Sequence, residues 1–195
     1  MARRSDHSKE EIKALAIKHA YELIEEKGEA GFKAREIAKR MGYTVGTLYY
    51  TFDNMEILRF HVCGQILDTF YNITLKELPK KKNKLIYLIT QYIRFSQDCR
   101  NQWMFLHSFK GTFKEAVPVW YLEKAQRAFA LYAEAFSPYI KNKKTALKAA
   151  QVIISSIHGM CILSLNDKMT KSTQLQPEVM AKHLVKTYLK GLNKN

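Results

Sequence analysis

Ala34-Arg35-Glu36-Ile37-Ala38-Lys39-Arg40-Met41-Gly42-Tyr43-Thr44-Val45-Gly46-Thr47-Leu48-Tyr49-Tyr50 reads as a helix, a turn and a second helix. Gly42 can take the left-handed backbone that ends the first helix. Thr44 brings a hydroxyl that can accept a free N–H at the start of the second. Ile37, Ala38, Met41, Val45 and Leu48 fall on the inward side, and small Ala38 lets two helices cross closely. Thr44, Gly46, Thr47, Tyr49 and Tyr50 are left on the outer side. A face that is small, then aromatic, and uncharged can enter a DNA major groove without repelling phosphates. Many helical hairpins share this spacing, so the pattern alone specifies helix-turn-helix and not its partner.

Outward from that stretch, helical periodicity continues almost everywhere. Ser8-Lys9-Glu10-Glu11 has the form of a capping box, with Ile12, Leu15, Ala16, His19, Ala20 and Leu23 forming one face behind it and Gly28 as the stop. Further helices are predicted over 54–78, 83–98, 101–113, 117–136, 143–166 and 177–191, the last opening on Pro177. Leu122, Ala125, Phe129, Tyr132 and Phe136 predict a buried stripe. With 8 Gly and 4 Pro in 195 residues and no alternating pattern, the expected class is all-α, about nine helices. The expected division is 1–53 for the helix-turn-helix domain and 54–195 for a larger helical domain.

The net charge of +14 suggests a polyanionic partner. Its placement cuts the other way: residues 1–54 hold 10 Lys/Arg against 9 Asp/Glu, and residues 55–195 hold 22 against 9. The motif outweighs the charge in placing DNA. Lys80–Lys84 and Lys141–Lys144 read as solvated connections, with an anion-binding patch as the alternative. Three cysteines, Cys63, Cys99 and Cys161, with no close pair, exclude a disulfide scaffold and a Cys-type zinc finger, and fit a reducing cytoplasm. The basic N-terminus has no apolar run behind it, unlike a signal peptide. Val152–Leu165, broken by Ser155, Ser156 and His158, is too short to span a bilayer. No metal is expected, because the six histidines show no ligand-like i, i+4 pairing. There is no Gly-x-Ser-x-Gly, phosphate-binding loop, Rossmann fingerprint or carboxylate pair, so no catalytic residue and no cofactor is expected.

The stretch from about Lys9 to Val62 resembles the DNA-binding domain of the tetracycline-repressor (TetR) family of bacterial regulators. Ala20, Leu23, Gly28, Arg35–Gly42, Gly46–Phe52, Glu56 and Leu58 carry the resemblance. It implies that Thr44, Val45, Gly46 and Thr47 open a recognition helix toward base edges. It also implies that Tyr49 and Tyr50 reach phosphates or thymine methyls, and that Arg35 reaches the backbone or a base. Arg3 and Arg4 would lie on an arm able to follow the minor groove. Ser156-Ile157-His158-Gly159-Met160 is similar to the His-Gly segment of one class of TetR-type C-terminal domains, without the Trp usual before it. Three departures bear on DNA affinity: Phe32 stands where the family usually has a capping Thr, Thr51 replaces a common His, and Asp53 and Met55 replace frequent lysines.

The implied function is a DNA-binding regulator, a repressor released from a pseudo-palindromic operator by a small hydrophobic effector. The rival is a small-molecule or lipid carrier on the same fold that has lost DNA binding. Assembly as a homodimer is expected through Ile153, Ile157, Gly159 and Ile162, on a helix apolar almost all round, with Leu184 and Tyr188 of the last helix completing a four-helix bundle. An effector pocket is expected from Phe70, Trp103, His107, Phe109, Trp120, Phe129 and Met160, with Lys110 or a tyrosine near an anionic head.

Overall fold

The structure is a computed structural model, and it describes residues 7–108, 117–165 and 176–192. Arg3, Arg4, Phe109 and Lys110 lie outside the described residues. Among those described, nine α-helices and no strand are found, as the periodicity predicts. They are α1 (Lys9–Lys27), α2 (Ala34–Met41), α3 (Val45–Phe52), α4 (Met55–Glu77), α5 (Lys84–Asp98), α6 (Arg100–His107), α7 (Val119–Ala135), α8 (Lys143–Ser164) and α9 (Pro177–Leu192). Short 3-10 turns follow α1 at Gly28–Gly31 and α4 at Leu78–Lys80.

Two compact units divide the chain. The first comprises residues 1–69 and 99–124, the second 70–98 and 125–195. The 53/54 division expected from the motif is not one of these packing boundaries.

In the first unit, α1 begins as the sequence dictates. The Ser8 hydroxyl accepts from the Glu11 N–H at 3.2 Å, and the Glu11 carboxylate accepts from the Ser8 N–H at 2.6 Å. The second bond holds the Glu11 carboxyl below its ordinary range. Ala16, Ala20, Leu23 and Ile24 are buried along one side of α1. Gly31 is needed for its lack of a side chain: a Cβ there would lie 2.3 Å from the Leu23 carbonyl oxygen. Arg59 of α4 is buried and ties this unit together. Its guanidinium pairs with Glu29, donates to the Phe105 carbonyl at 3.3 Å, and lies 4.0 Å from the centroid of the Phe105 ring. A buried cation is tolerated only where pairing and hydrogen bonds replace its water.

In the second unit, α5, α8 and α9 pack on one another. Ala146, Ala149, Ala150, Ile153, Ile157 and Cys161 recur at helical spacing on the buried side of α8. By length and composition α8 as a whole is long and apolar enough to cross a bilayer, longer than the apolar stretch picked out above, and one side of it is buried in this unit. The stripe expected on α7 is only half buried. Tyr132 and Phe136 are enclosed, but Leu122 and Phe129 are 43% and 41% exposed. The periodicity was sound; the N-terminal half of the stripe lacks a covering helix among the described residues.

Candidate DNA-binding site

The first helix of the hairpin, α2, ends at Gly42, which holds φ 74° and ψ 24°. Its N–H turns back to the Ala38 and Lys39 carbonyls, closing the last turn. The chain then reverses through Tyr43, whose N–H donates to Ala38 O at 2.9 Å. Thr44 caps α3 by accepting from the Thr47 N–H at 3.2 Å. Ile37, Ala38, Met41 and Leu48 are buried, as is Phe52 at the far end, while Val45 is half-buried. These inward residues fix which side of α3 faces out.

That outer side carries the residues named for DNA contact. Tyr50 is 75% exposed and Tyr49 47%. Thr44 and Gly46 are also exposed. Gly46 is not required by the fold, because a Cβ there would meet only the Thr44 Oγ1, at an ordinary 3.6 Å. Its bareness is therefore open to a partner that must approach the backbone closely. The two threonine hydroxyls are 3.0 Å apart, and each keeps free hydrogen-bonding capacity for a base edge.

Arg35 is exposed at the second position of α2. The acidic groups nearby are engaged elsewhere. Glu36 lies 3.7 Å from Lys27, and Glu26 holds Arg40 by two bonds of 2.7 and 2.8 Å, which lower the Glu26 carboxyl. Among the described residues, neither of these carboxylates pairs with Arg35, whose side chain is exposed. Phe32 provides no cap: Lys33 precedes α2 without a side-chain bond, and Phe32 instead packs edge-on to Phe105 at 5.1 Å.

Two features were not foreseen. Lys9 lies 5.1 Å from the centroid of the Tyr50 ring, and the His7 ring is 2.7 Å from the Tyr43 hydroxyl. Nothing in the spacing signals either, since they join α1's start to the hairpin. Asp53 sits between α3 and α4 with φ 61° and ψ −46°, and the Asn54 N–H reaches the Phe52 carbonyl at 2.6 Å. This is the φ-positive γ-turn, a strained connection for a non-glycine residue. Asn54 then caps the next helix through the Ile57 N–H at 2.9 Å.

The residues expected to line an effector pocket separate between the units. Trp103, His107 and Trp120 belong to the first; Phe70, Phe129 and Met160 belong to the second; Phe109 is outside the described residues. Trp103 is fully buried, its ring edge-on to His107 at 4.8 Å. In the second unit Phe70 packs on Phe95 at 4.9 Å and on Tyr92 at 6.2 Å, and Tyr92 OH lies 2.8 Å from the His158 ring. Phe129 lines a groove of about 950 Å³ between α7 and α8, with Ala130, Ala133, Leu147 and Lys143.

The expected subunit interface needs a correction. Ile153 and Ile157 are 0% and 1% exposed, so they have no surface left to give a partner; they are core of their own unit. Gly159 and Ile162 lie on the open side. Ile162 is 41% exposed, and a Cβ on Gly159 would meet nothing within 4 Å. Leu184 is half-buried, and so is Tyr188, whose ring packs edge-on to Phe136 at 6.4 Å.

Residues 16–62 match the family "Bacterial regulatory proteins, tetR family", so the chain carries that family's DNA-binding domain. No curated protein matches the sequence. Solved structures are similar over nearly the whole chain. A protein of unknown function from Rhodococcus sp. RHA1 is 13% identical with a TM-score of 0.72, covering 97% of this chain and 98% of the other. A candidate transcriptional regulator from Saccharomonospora viridis, solved in complex with choline, is 16% identical with a TM-score of 0.67, covering 91% and 95%. A TetR-family transcriptional regulator from Bordetella parapertussis 12822 is 15% identical with a TM-score of 0.55, covering 92% and 95%. At these identities the likeness is one of fold.

Proposed function

We propose, from the tetR-family DNA-binding domain at residues 16–62, that this chain is a bacterial, cytoplasmic repressor that binds a pseudo-palindromic operator as a homodimer and is released by a small hydrophobic effector. The observation that carries the reading is the outer side of α3. Tyr49, Tyr50, Gly46 and Thr44 stay open while Leu48, Thr51 and Phe52 are buried. A helix so oriented, with the exposed Arg35 at the start of the preceding helix, has base-reading groups in front and a candidate phosphate-binding group on α2.

For assembly, the open side of α8 at Gly159 and Ile162, with Leu184 and Tyr188 of α9, remains the proposed two-fold contact. For the effector, the aromatic residues of the second unit around Phe70 and Tyr92, together with Phe129, support an apolar body. The choline bound by the Saccharomonospora protein makes a cationic ligand the instructive contrast.

The test is selection of a genomic fragment pool by the protein at moderate salt. An enriched pseudo-palindrome supports the regulator, and binding blind to sequence supports the carrier. Tyr49→Ala or Thr47→Ala abolishes the selected binding on this reading, whereas Lys143→Ala with Lys144→Ala leaves it nearly unchanged. Titration of tryptophan fluorescence with fatty acids, neutral aromatics and choline then sorts the effector class. Choline alone releasing DNA would replace the apolar effector with a cationic one.

A further inference from the structure

The first turns of α7 lie against α4 inside the first unit, and three side chains fasten them there. The Trp120 indole stacks flat on the His61 imidazole, centroids 4.5 Å apart and planes 14° from parallel. One turn along α4, Gly64 leaves a notch for the same indole: a Cβ there would lie 3.1 Å from Trp120 Cζ3 and 3.3 Å from Lys124 Cδ. One turn further, Asp68 pairs with Lys124. Tyr121 adds a contact with Phe60 at 5.2 Å. His61, Gly64 and Asp68 are spaced three and four apart, so they form one edge of α4.

His61 also contacts the recognition helix. Its ring meets Phe52, the last and nearly fully buried residue of α3, at 5.8 Å and 65°. His61 is thus held between the end of the recognition helix and the start of α7. Partial burial, with Lys13 and Lys124 nearby, lowers its pKa to about 4, so the ring is neutral near pH 7. A neutral ring stacks on indole without the desolvation cost that a charged one would carry.

We infer that Trp120 is a positioning residue for DNA recognition, which sets the angle of α3 through His61 and Phe52 without touching DNA. The inference rests on the DNA-binding reading above only for its consequence at the operator. The geometry itself is independent of that reading. Anything that shifts the start of α7 would be felt at the C-terminal end of the recognition helix, because aromatic rings packed in series move together rather than compress.

The experiment has two readouts. Amide hydrogen exchange at Thr51, Phe52 and Asp53 is measured on the full chain without DNA, and affinity for the selected operator is measured beside affinity for random DNA. Trp120→Ala is expected to speed exchange at those amides roughly tenfold. It is also expected to weaken operator binding about tenfold, with random-DNA binding unchanged. Trp120→Phe, which keeps a ring on His61, is expected to restore both. Gly64→Ala, a milder push on the indole, is expected to change both in the same direction and serves if Trp120→Ala does not fold. Unchanged exchange at the end of α3 in both variants overturns the inference, as does a loss equal for operator and random DNA. A wild-type protein that selects no operator overturns the regulator reading instead, and the exchange result still decides whether Trp120 braces α3.

Discussion

Gly46→Ala separates what the fold needs from what DNA needs. Gly46 occupies the second position of α3, behind the Thr44 cap. The added Cβ would sit 3.6 Å from Thr44 Oγ1 and touch nothing else, so no steric cost opposes it. Alanine in place of glycine in a helix gains about 0.5–1 kcal/mol, chiefly because the unfolded chain has less freedom to lose. The melting temperature should therefore rise, by about 1–4 °C for a chain of this size. DNA binding should move the opposite way. A methyl placed between the backbone of α3 and a base edge removes a contact of about 1–3 kcal/mol per half-site, and a dimer counts it twice. The operator affinity then falls roughly 30-fold or more. Calorimetry and fluorescence anisotropy on the same preparation measure both. A variant that is more stable and binds as well as wild type would refute the argument that α3 presents this edge to the groove. One that loses stability would refute the reading of open space around Gly46.

Three further outcomes follow from the packing. Between pH 6.5 and about 4 the unfolded chain protonates His61 and the folded chain does not. The associated stability is therefore complete above pH 6.5 and is lost as pH falls toward 4, by about 1–2 kcal/mol once the ring's partial exposure is discounted. Urea titrations at pH 7 and 4.5 should show that loss shrinking in His61→Gln. Asp53→Gly should relieve the φ-positive turn after α3 and stabilise by about 1 kcal/mol, a gain that denaturant midpoints will register; a loss would show that the Asp53 side chain holds the turn. Ile162→Glu or Gly159→Leu should give folded monomers by light scattering, whereas Ile153→Ala should leave the assembly intact and cost about 2–4 kcal/mol of unfolding free energy. Monomeric wild type at micromolar concentration would sink the proposed interface.

How much was legible in the sequence depended on whether the decisive interaction was local. The capping box at Ser8, the left-handed Gly42 and the Thr44 cap each act within three or four residues, and each is found where the residues place it. The inward side of the hairpin was legible for the same reason: Ile37, Ala38, Met41 and Leu48 declare their side by spacing alone. What spacing cannot declare is which neighbour covers a given side. On α8, both the Ile153–Ile157 row and the Ile162 side are apolar, and only packing assigns the first to the unit's own core. Along α7 and just past it, five apolar residues at ideal spacing predict one buried stripe, yet Leu122 and Phe129 of that stripe stay exposed while Tyr132 and Phe136 are buried.

The same limit makes Trp120 look, from sequence, like part of a pocket. From sequence it is one more aromatic in a dense series, 68 residues past Phe52 at the end of the hairpin. Its stack on His61 requires that α4 and α7 be adjacent, and its notch is written in Gly64, a residue with no side chain to signal anything. A helical glycine facing an indole has a steric task, and Gly64 has it against Trp120. Residues that act at long range on a recognition helix are thus the ones a periodicity reading hides. They are also the ones most able to couple that helix to a change elsewhere, because they are not themselves committed to DNA. The near-neutral charge of residues 1–54 strengthens this point. On the proposed regulator reading, little net attraction to phosphate leaves operator affinity resting on the angle and spacing of α3 more than on charge, and a brace that fixes that angle gains correspondingly in weight.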